Sequence, residues 1–241
     1  MKYAIFGDVH ANLEALTRVL EECEKLGVEK YLCIGDIVGY NADPSECLNL
    51  VRNLPLAGVV MGNHDEQASE DNELVGFNPQ AAFAIEWTRN QLTDEERDYL
   101  KKLRLSIQIG KITIVHATLD SPRRWGYIFD KHSAGASFSY QFSQLCFCGH
   151  SHVPLAFEKF GTIMGGKYQN IKVQPGHKYL VNVGSVGQPR DGDWRSAFVV
   201  YDTDENDIQL HRLEYDIKTA QQKILDAGLP ERLALRLERG Q

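Results

Sequence analysis

Three short, mostly apolar runs within the first 61 residues, separated by amphipathic helical patterns, constrain the fold of this chain more than any other feature. They are residues 2–7, Tyr31-Leu32-Cys33-Ile34 and Ala57-Gly58-Val59-Val60-Met61. Strands with no sustained polar face must be covered on both sides, so strand–helix–strand alternation of this kind predicts a sheet covered by helices. The first helix is legible residue by residue: Asn12 offers an N-cap, and Leu13, Leu16, Leu20, Cys23 and Leu26 follow at helical spacing. Asp43-Pro44-Ser45-Glu46 reads as a second helix start, with a capping aspartate, proline at the first helical position and glutamate three residues after the cap.

Two further helices are predicted near 79–92 and 94–103, opened by Asn78-Pro79 and by Thr93 with Glu96. Beyond residue 105 the pattern turns to strands. Residues 107–115 form a hairpin around Gly110-Lys111, and strands follow near 145–148, 155–160, 179–183 and 196–201. A last hairpin passes through 204–207 into 208–214, and the tail, 216–238, reads as two helices broken at Gly228-Leu229-Pro230. With no linker, repeat or low-complexity segment, residues 1–241 are expected to form one α/β domain.

The formal net charge of -7 disfavours a broad surface for long nucleic acids or anionic membranes. No apolar run approaches the roughly 20 residues that span a bilayer, and the N-terminus reads as a core strand rather than a signal peptide. Five cysteines, at 23, 33, 47, 146 and 148, lack the spacing of a disulfide framework, so a reducing cytoplasm is expected. Cys146-Phe147-Cys148 admits either a metal clip or simple strand alternation.

The residues that end the strands carry the functional signal. Gly7-Asp8-Val9-His10 follows the first strand, Gly35-Asp36 the second and Gly62-Asn63-His64-Asp65 the third; His116 ends the hairpin, and Gly149-His150-Ser151-His152 ends a later strand. Strand carboxyl ends form the ligand-binding rim of an α/β sheet, so these five ends bring five of the chain's eight histidines to one place. Asp8 and His10, like His150 and His152, stand two apart, which in an extended segment sends both side chains to one side. Glycine before Asp8, Asp36, Asn63 and His150 permits sharp turning or close approach. Each motif alone is also compatible with a turn or capping cluster; the five together point to a metal site. Mixed imidazole and carboxylate ligands suit manganese, iron, zinc, cobalt or nickel better than magnesium or calcium.

In this order the motifs resemble the calcineurin-like metallophosphoesterase superfamily. Gly35-Asp36-Ile37-Val38-Gly39-Tyr40 and the run Asn182 to Asp193 are similar to its small cytoplasmic bacterial and archaeal branch of phosphatases and phosphodiesterases, and the resemblance extends to about residue 215. It implies a four-layer α-β-β-α sandwich of two mixed sheets flanked by helices. It also implies two divalent transition-metal ions, with manganese the expected choice in vitro. One would be held by Asp8, His10, Asp36 and His152, the other by Asp36, Asn63, His116 and His150, with Asp36 bridging. His64 then acts as proton donor or charge stabiliser, oriented by Asp65. One departure is Val115-His116-Ala117, where the superfamily usually places glycine after the histidine. Two divalent ions, two ligand carboxylates and a shared hydroxide leave a core of about +1, attractive to phosphate despite the acidic chain.

Arg123, Arg124, Trp125 and Tyr127 form a basic–aromatic loop after His116. An arginine fork there suits a second phosphate and Trp125 suits a base; a solvated loop with its tryptophan on the core is the alternative. Arg190 either faces the site or pairs with Asp191 or Asp193. The expected function is hydrolysis of a small phosphodiester, nucleotide or dinucleoside polyphosphate. The alternatives are a phosphomonoesterase, including a protein Ser/Thr phosphatase, and a non-catalytic scaffold. The intact ligand set and His64 weigh against the scaffold.

Overall fold

The computed structural model describes residues 1–74 and 78–241. In chain order the first half contains β1 (Lys2–Phe6), α1 (Leu13–Lys25), β2 (Lys30–Cys33), α2 (Pro44–Arg52), β3 (Leu56–Val59), α3 (Asn63–Ser69), α4 (Pro79–Gln91), α5 (Asp94–Lys101), β4 (Ser106–Ile109) and β5 (Ile112–Val115). After a 3-10 turn at Pro122–Arg124 come α6 (Lys131–Tyr140), β6 (Leu145–Cys148), β7 (Ala156–Phe160), β8 (Thr162–Gly166), β9 (Asn170–Lys172), β10 (Lys178–Asn182), β11 (Ser196–Asp202), β12 (Asp207–Leu213), α7 (Ile217–Asp226) and α8 (Glu231–Leu237).

The strands form two mixed six-stranded sheets, ordered β3-β2-β1-β11-β12-β9 and β4-β5-β6-β10-β7-β8. Side-chain alternation decides the layers. In β1, Ala4 and Phe6 face α1, α2 and the C-terminal helices, whereas Ile5 faces the second sheet with Leu32, Phe147 and Val199. In β6, Leu145 and Phe147 enter the same inter-sheet core, while Cys146 and Cys148 point outward to Ala134 and Phe138 of α6. The result is the expected four-layer sandwich, with most helices on one outer face and α6 on the other.

This alternation decides the reading of Cys146-Phe147-Cys148. Both thiols pack in an apolar cluster, and burial pushes Cys148 up to about 12, so they are small hydrophobes and no metal clip. All five cysteines are buried and free. No helix among the described residues is long and apolar enough to cross a membrane.

Local signals held at most helix starts. Asn12 Oδ1 accepts from Ala15 N at 3.1 Å, and Thr93 and Glu96 cap α5 reciprocally. Asp43 is an exception: α2 begins at Pro44 as expected, but the aspartate makes no capping bond and instead accepts from Lys223 Nζ at 2.9 Å. The long-range ion pair to α7 has taken the carboxylate from its local role.

Candidate metal centre

Strands β1, β2 and β3 run parallel in the first sheet, as do β5 and β6 in the second, so the turns after them share one rim. Asp8, His10, Asp36, Asn63, His64, His116, His150 and His152 meet there, all of them buried. The backbone that delivers them is not the extended segment the two-residue spacing suggested. Asp8, His10, Asp36, His150 and His152 all have positive φ, between 47° and 65°. Left-handed backbone at non-glycine residues costs energy, on the order of 1 kcal/mol or more each, and persists where surrounding bonds over-determine it. Those bonds are present: Asp8 N donates to Gly35 O at 2.9 Å and His10 N to Asp36 O at 3.0 Å. Asp8 Oδ2 accepts from His150 N at 3.0 Å.

Close approach explains two glycines. A Cβ on Gly62 would lie 2.0 Å from Asp36 Oδ1, and one on Gly149 would lie 2.2 Å from Asp8 Oδ2. The carboxylates occupy the space a side chain would take.

Each histidine of the expected ligand set is fixed by a main-chain carbonyl behind it. His10 Nδ1 donates to Val38 O at 3.2 Å, His116 Nδ1 to Ile34 O at 2.9 Å, His150 Nε2 to Trp125 O at 2.7 Å and His152 Nδ1 to Gln188 O at 2.5 Å. A carbonyl oxygen only accepts, so the outward nitrogen of each ring carries the proton and the inward one can present its lone pair. This is the arrangement that orients metal-binding imidazoles.

The inward atoms form two groups. His10 Nε2 and His152 Nε2 are 3.1 Å apart, with Asp8 Oδ1 at 3.2 Å from the latter. His116 Nε2 lies 3.2 Å from both His150 Nδ1 and Asn63 Oδ1. Asp36 Oδ2 stands between them, 3.6 Å from His10 Nε2 and 3.3 Å from His116 Nε2, while its other oxygen accepts from His64 N at 2.8 Å.

The electrostatics favour a cation. Burial, joined by the charge of Arg190, holds both His10 and His152 below the ordinary imidazole range, so both are neutral at pH 7. Two neutral rings then face each other lone pair to lone pair, beside a buried Asp8 Oδ1 that lacks a hydrogen-bond donor. A divalent ion there would satisfy all three atoms at once. In the second group burial opposes the charge on His116, but Asp36 raises it to about 9, so a proton stands there in place of an ion. Burial and His116 depress His150 to about 3. Among the described residues three clusters have the spacing to hold a metal: Asp8, His10 and His152; Asp36, His116 and His150; and His10, Asp36 and His64.

The domain model described as the calcineurin-like phosphoesterase superfamily domain matches residues 1–206. The chain belongs to that superfamily. It is therefore a metal-dependent phosphoesterase by family, and its His/Asp clusters have the spacing to hold metal. An uncharacterized protein from Methanocaldococcus jannaschii, MJ0912, is 39% identical over 240 residues, covering 97% of this chain and 96% of that protein. A metallophosphoesterase crystal structure from Sphaerobacter thermophilus has a TM-score of 0.88 at 38% identity, with coverage of 100% of this chain and 99% of the other. The hypothetical protein PH1004 from Pyrococcus horikoshii OT3 shares the fold, with a TM-score of 0.81 at 20% identity over 100% and 98% of the two chains.

Around the phosphoesterase centre the structure sorts the remaining expected residues. Asp65 accepts from the backbone amides of Asp36 (2.8 Å), Ile37 (2.8 Å), Val38 (3.3 Å) and Gly62 (3.0 Å). It thus clamps the turn carrying Asp36 to the first turn of α3, which carries His64. Trp125 and Arg190 line the pocket over the clusters, together with Tyr40, Tyr127 and Asn78; Arg123 and Arg124 do not. Arg123 pairs with Glu66 of α3, which also accepts from Trp125 Nε1 at 3.2 Å, and Arg124 is exposed. Arg190 takes Gln188 Oε1 at 2.8 Å, while Asp191 pairs with Arg212 and Asp193 with Arg195.

Sequence reasoning gave Tyr40 no role of its own. Its ring lies 4.7 Å from that of His10 and 4.4 Å from that of His64. Its place directly after Gly39, in the turn following Asp36, was the available signal: a Cβ on Gly39 would lie 2.6 Å from His64 Nδ1.

Proposed function

We propose that the chain hydrolyses a small phosphodiester, nucleotide or dinucleoside polyphosphate at a dinuclear centre, by in-line attack of water. The observation that carries this reading is the pair of inward-facing histidine groups, each backed by carbonyls, with Asp36 Oδ2 between them. Asp8, His10, Asp36 and His152 would hold one ion and Asp36, Asn63, His116 and His150 the other. Ions held by these residues would supply activation of water and charge stabilisation of the phosphoryl oxygens. Manganese is the expected ion in vitro.

The chain's own residues supply orientation. Burial holds His64 to about 4, so it is neutral before substrate arrives and offers an N–H rather than a full charge. An anionic phosphate above it raises its basicity and makes protonation of the leaving oxygen accessible. Trp125, Tyr127 and Arg190 help line a cavity of about 260 Å³, a size that suits a small substrate better than a protein loop. The free, buried cysteines fit a reducing, cytoplasmic setting.

The test is a comparison of kcat/KM across phosphomonoesters, diesters, dinucleoside polyphosphates and phosphopeptides with manganese-loaded protein. Preference for small diesters or nucleotides is expected. A phosphopeptide preference of tenfold or more would overturn the substrate reading.

A further inference from the structure

Beside the metal pocket, and sharing Tyr40, Tyr127 and Arg190 with it, lies a larger cavity of about 530 Å³. Its far wall is α8 and the residues just after it, which contribute Arg232, Arg236 and Arg239. These three recur at i, i+4 and i+7, one stripe of a helical surface, while Leu233, Ala234 and Leu237 anchor the helix in the core. They lie outside residues 1–206, the stretch that the superfamily domain model matches.

Four guanidinium groups around one cavity repel one another unless acids neutralise them. Three acidic side chains near this wall are engaged elsewhere: Asp191 with Arg212, Asp193 with Arg195 and Glu238 with Lys218. Arg190 Nε is buried without a hydrogen-bond partner, and Arg236 Nε donates to the main-chain oxygen of Gln241. Arg190 and Arg236 both stand over the Tyr40 ring, at 5.6 and 5.8 Å, so that ring joins the arginine wall to His10 and His64. Burial first, and then the charge of Arg190, bring Arg236 down to about 10. In a chain of net charge -7, such a local basin attracts an anion.

We infer that this cavity is a second anion subsite, and that the substrate carries at least one phosphate beyond the one being hydrolysed. Arg232, Arg236 and Arg239 hold the distal phosphate through planar, charge-assisted donors, with Arg190 at the junction of the two cavities. The inference rests on the phosphoesterase reading above and narrows its substrate class to multiply phosphorylated small molecules.

Two p-nitrophenyl diesters of thymidine 5′-phosphate, one with a free 3′-hydroxyl and one with a 3′-phosphate, test it with manganese-loaded protein. The wild-type chain should favour the 3′-phosphate form in kcat/KM on the order of 10-fold or more, chiefly through KM. That advantage should shrink in high salt. Arg232 and Arg239 are exposed, so the double variant R232E/R239E should fold normally, keep turnover of the 3′-hydroxyl diester and lose the preference. R236K, which keeps the charge but loses the planar fork, should retain part of the preference and R236Q little. Equal use of the two diesters by wild type, or a preference that survives in R232E/R239E, overturns the subsite while leaving the catalytic centre standing. Absence of turnover for both diesters overturns the diester reading of the proposed function on which the subsite rests.

Discussion

Gly62→Ala separates a steric requirement of the site from a conformational one. Gly62 has φ -98° and ψ 171°, extended backbone that alanine adopts without strain. Its added methyl, however, would lie 2.0 Å from Asp36 Oδ1 and 2.4 Å from Asp36 N, more than 1 Å inside ordinary contact. Asp36 cannot retreat freely, because its N donates to Asp65 at 2.8 Å and its Oδ1 accepts from His64 N at 2.8 Å. The clash must displace the carboxylate that stands between the two histidine groups. Overpacking of this kind costs about 1–3 kcal/mol in stability, and a displacement near 1 Å at a reacting centre costs about 100-fold in rate. Gly110→Ala is the converse control: φ is +55° with nothing within 4 Å, so it should lose about 1 kcal/mol to strain and keep its metal and activity. The assay combines bound-metal analysis, thermal unfolding and diester turnover for both variants. Full metal content and wild-type turnover in Gly62→Ala would refute the packing argument.

Three further outcomes are expected. Asp36→Asn should lose more metal and more activity than Asn63→Ala, measured as bound metal per chain, because Asp36 faces both groups; equal metal in wild type and Asp36→Asn would remove its bridging role. His64→Ala should keep its metal but lower kcat by about 10²–10⁴, less for nitrophenolate than for an alkoxide leaving group. Metal loss in that variant would make His64 a ligand, as its place beside His10 and Asp36 also allows. In metal-free protein His64 titrates near 4 folded against about 6.5 unfolded, so the stability it contributes is present above pH 6.5 and lost as pH falls toward 4. The acid loss of stability, followed by denaturant unfolding from pH 7.5 to 4, should therefore be smaller in His64→Asn by about 3 kcal/mol; identical slopes would contradict the buried, neutral state of His64.

The parts of the fold legible in the sequence were those written in local chemistry. Apolar strands, the Asn12 and Thr93 caps and the Gly110-Lys111 turn lie where their residues indicated. Helix α6 escaped because Gly135 and its serines blur the apolar stripe; it is held by Phe138 and Ala134 packing on the second sheet and by the Asp130 cap. Strands β8 and β9, short and ending in glycines or polar residues, depend on their pairing partners β7 and β12. Helix α3 was hidden by function, since Asn63 and His64, read as the end of a strand, occupy its first turn.

The site was legible for a different reason. Its candidate ligands sit at strand ends that topology must bring together, so five sequence fragments sufficed to place them at one rim. What the fragments did not carry was the left-handed backbone at Asp8, His10, Asp36, His150 and His152, because that conformation is imposed by bonds between loops distant in sequence. Nor did they show that Arg123 would be taken by Glu66 while three arginines from the C-terminal helix region lined the neighbouring cavity.

The central claim is that the two histidine groups joined by Asp36 hold two catalytic metal ions. Protein purified without chelator and loaded with manganese should bind two ions per chain and hydrolyse bis(p-nitrophenyl) phosphate. Chelation should abolish that turnover, and restoring manganese should recover it in proportion to occupancy up to the second ion. A chain that saturates at one ion with full activity, or turns over the diester equally after complete chelation, would contradict the account.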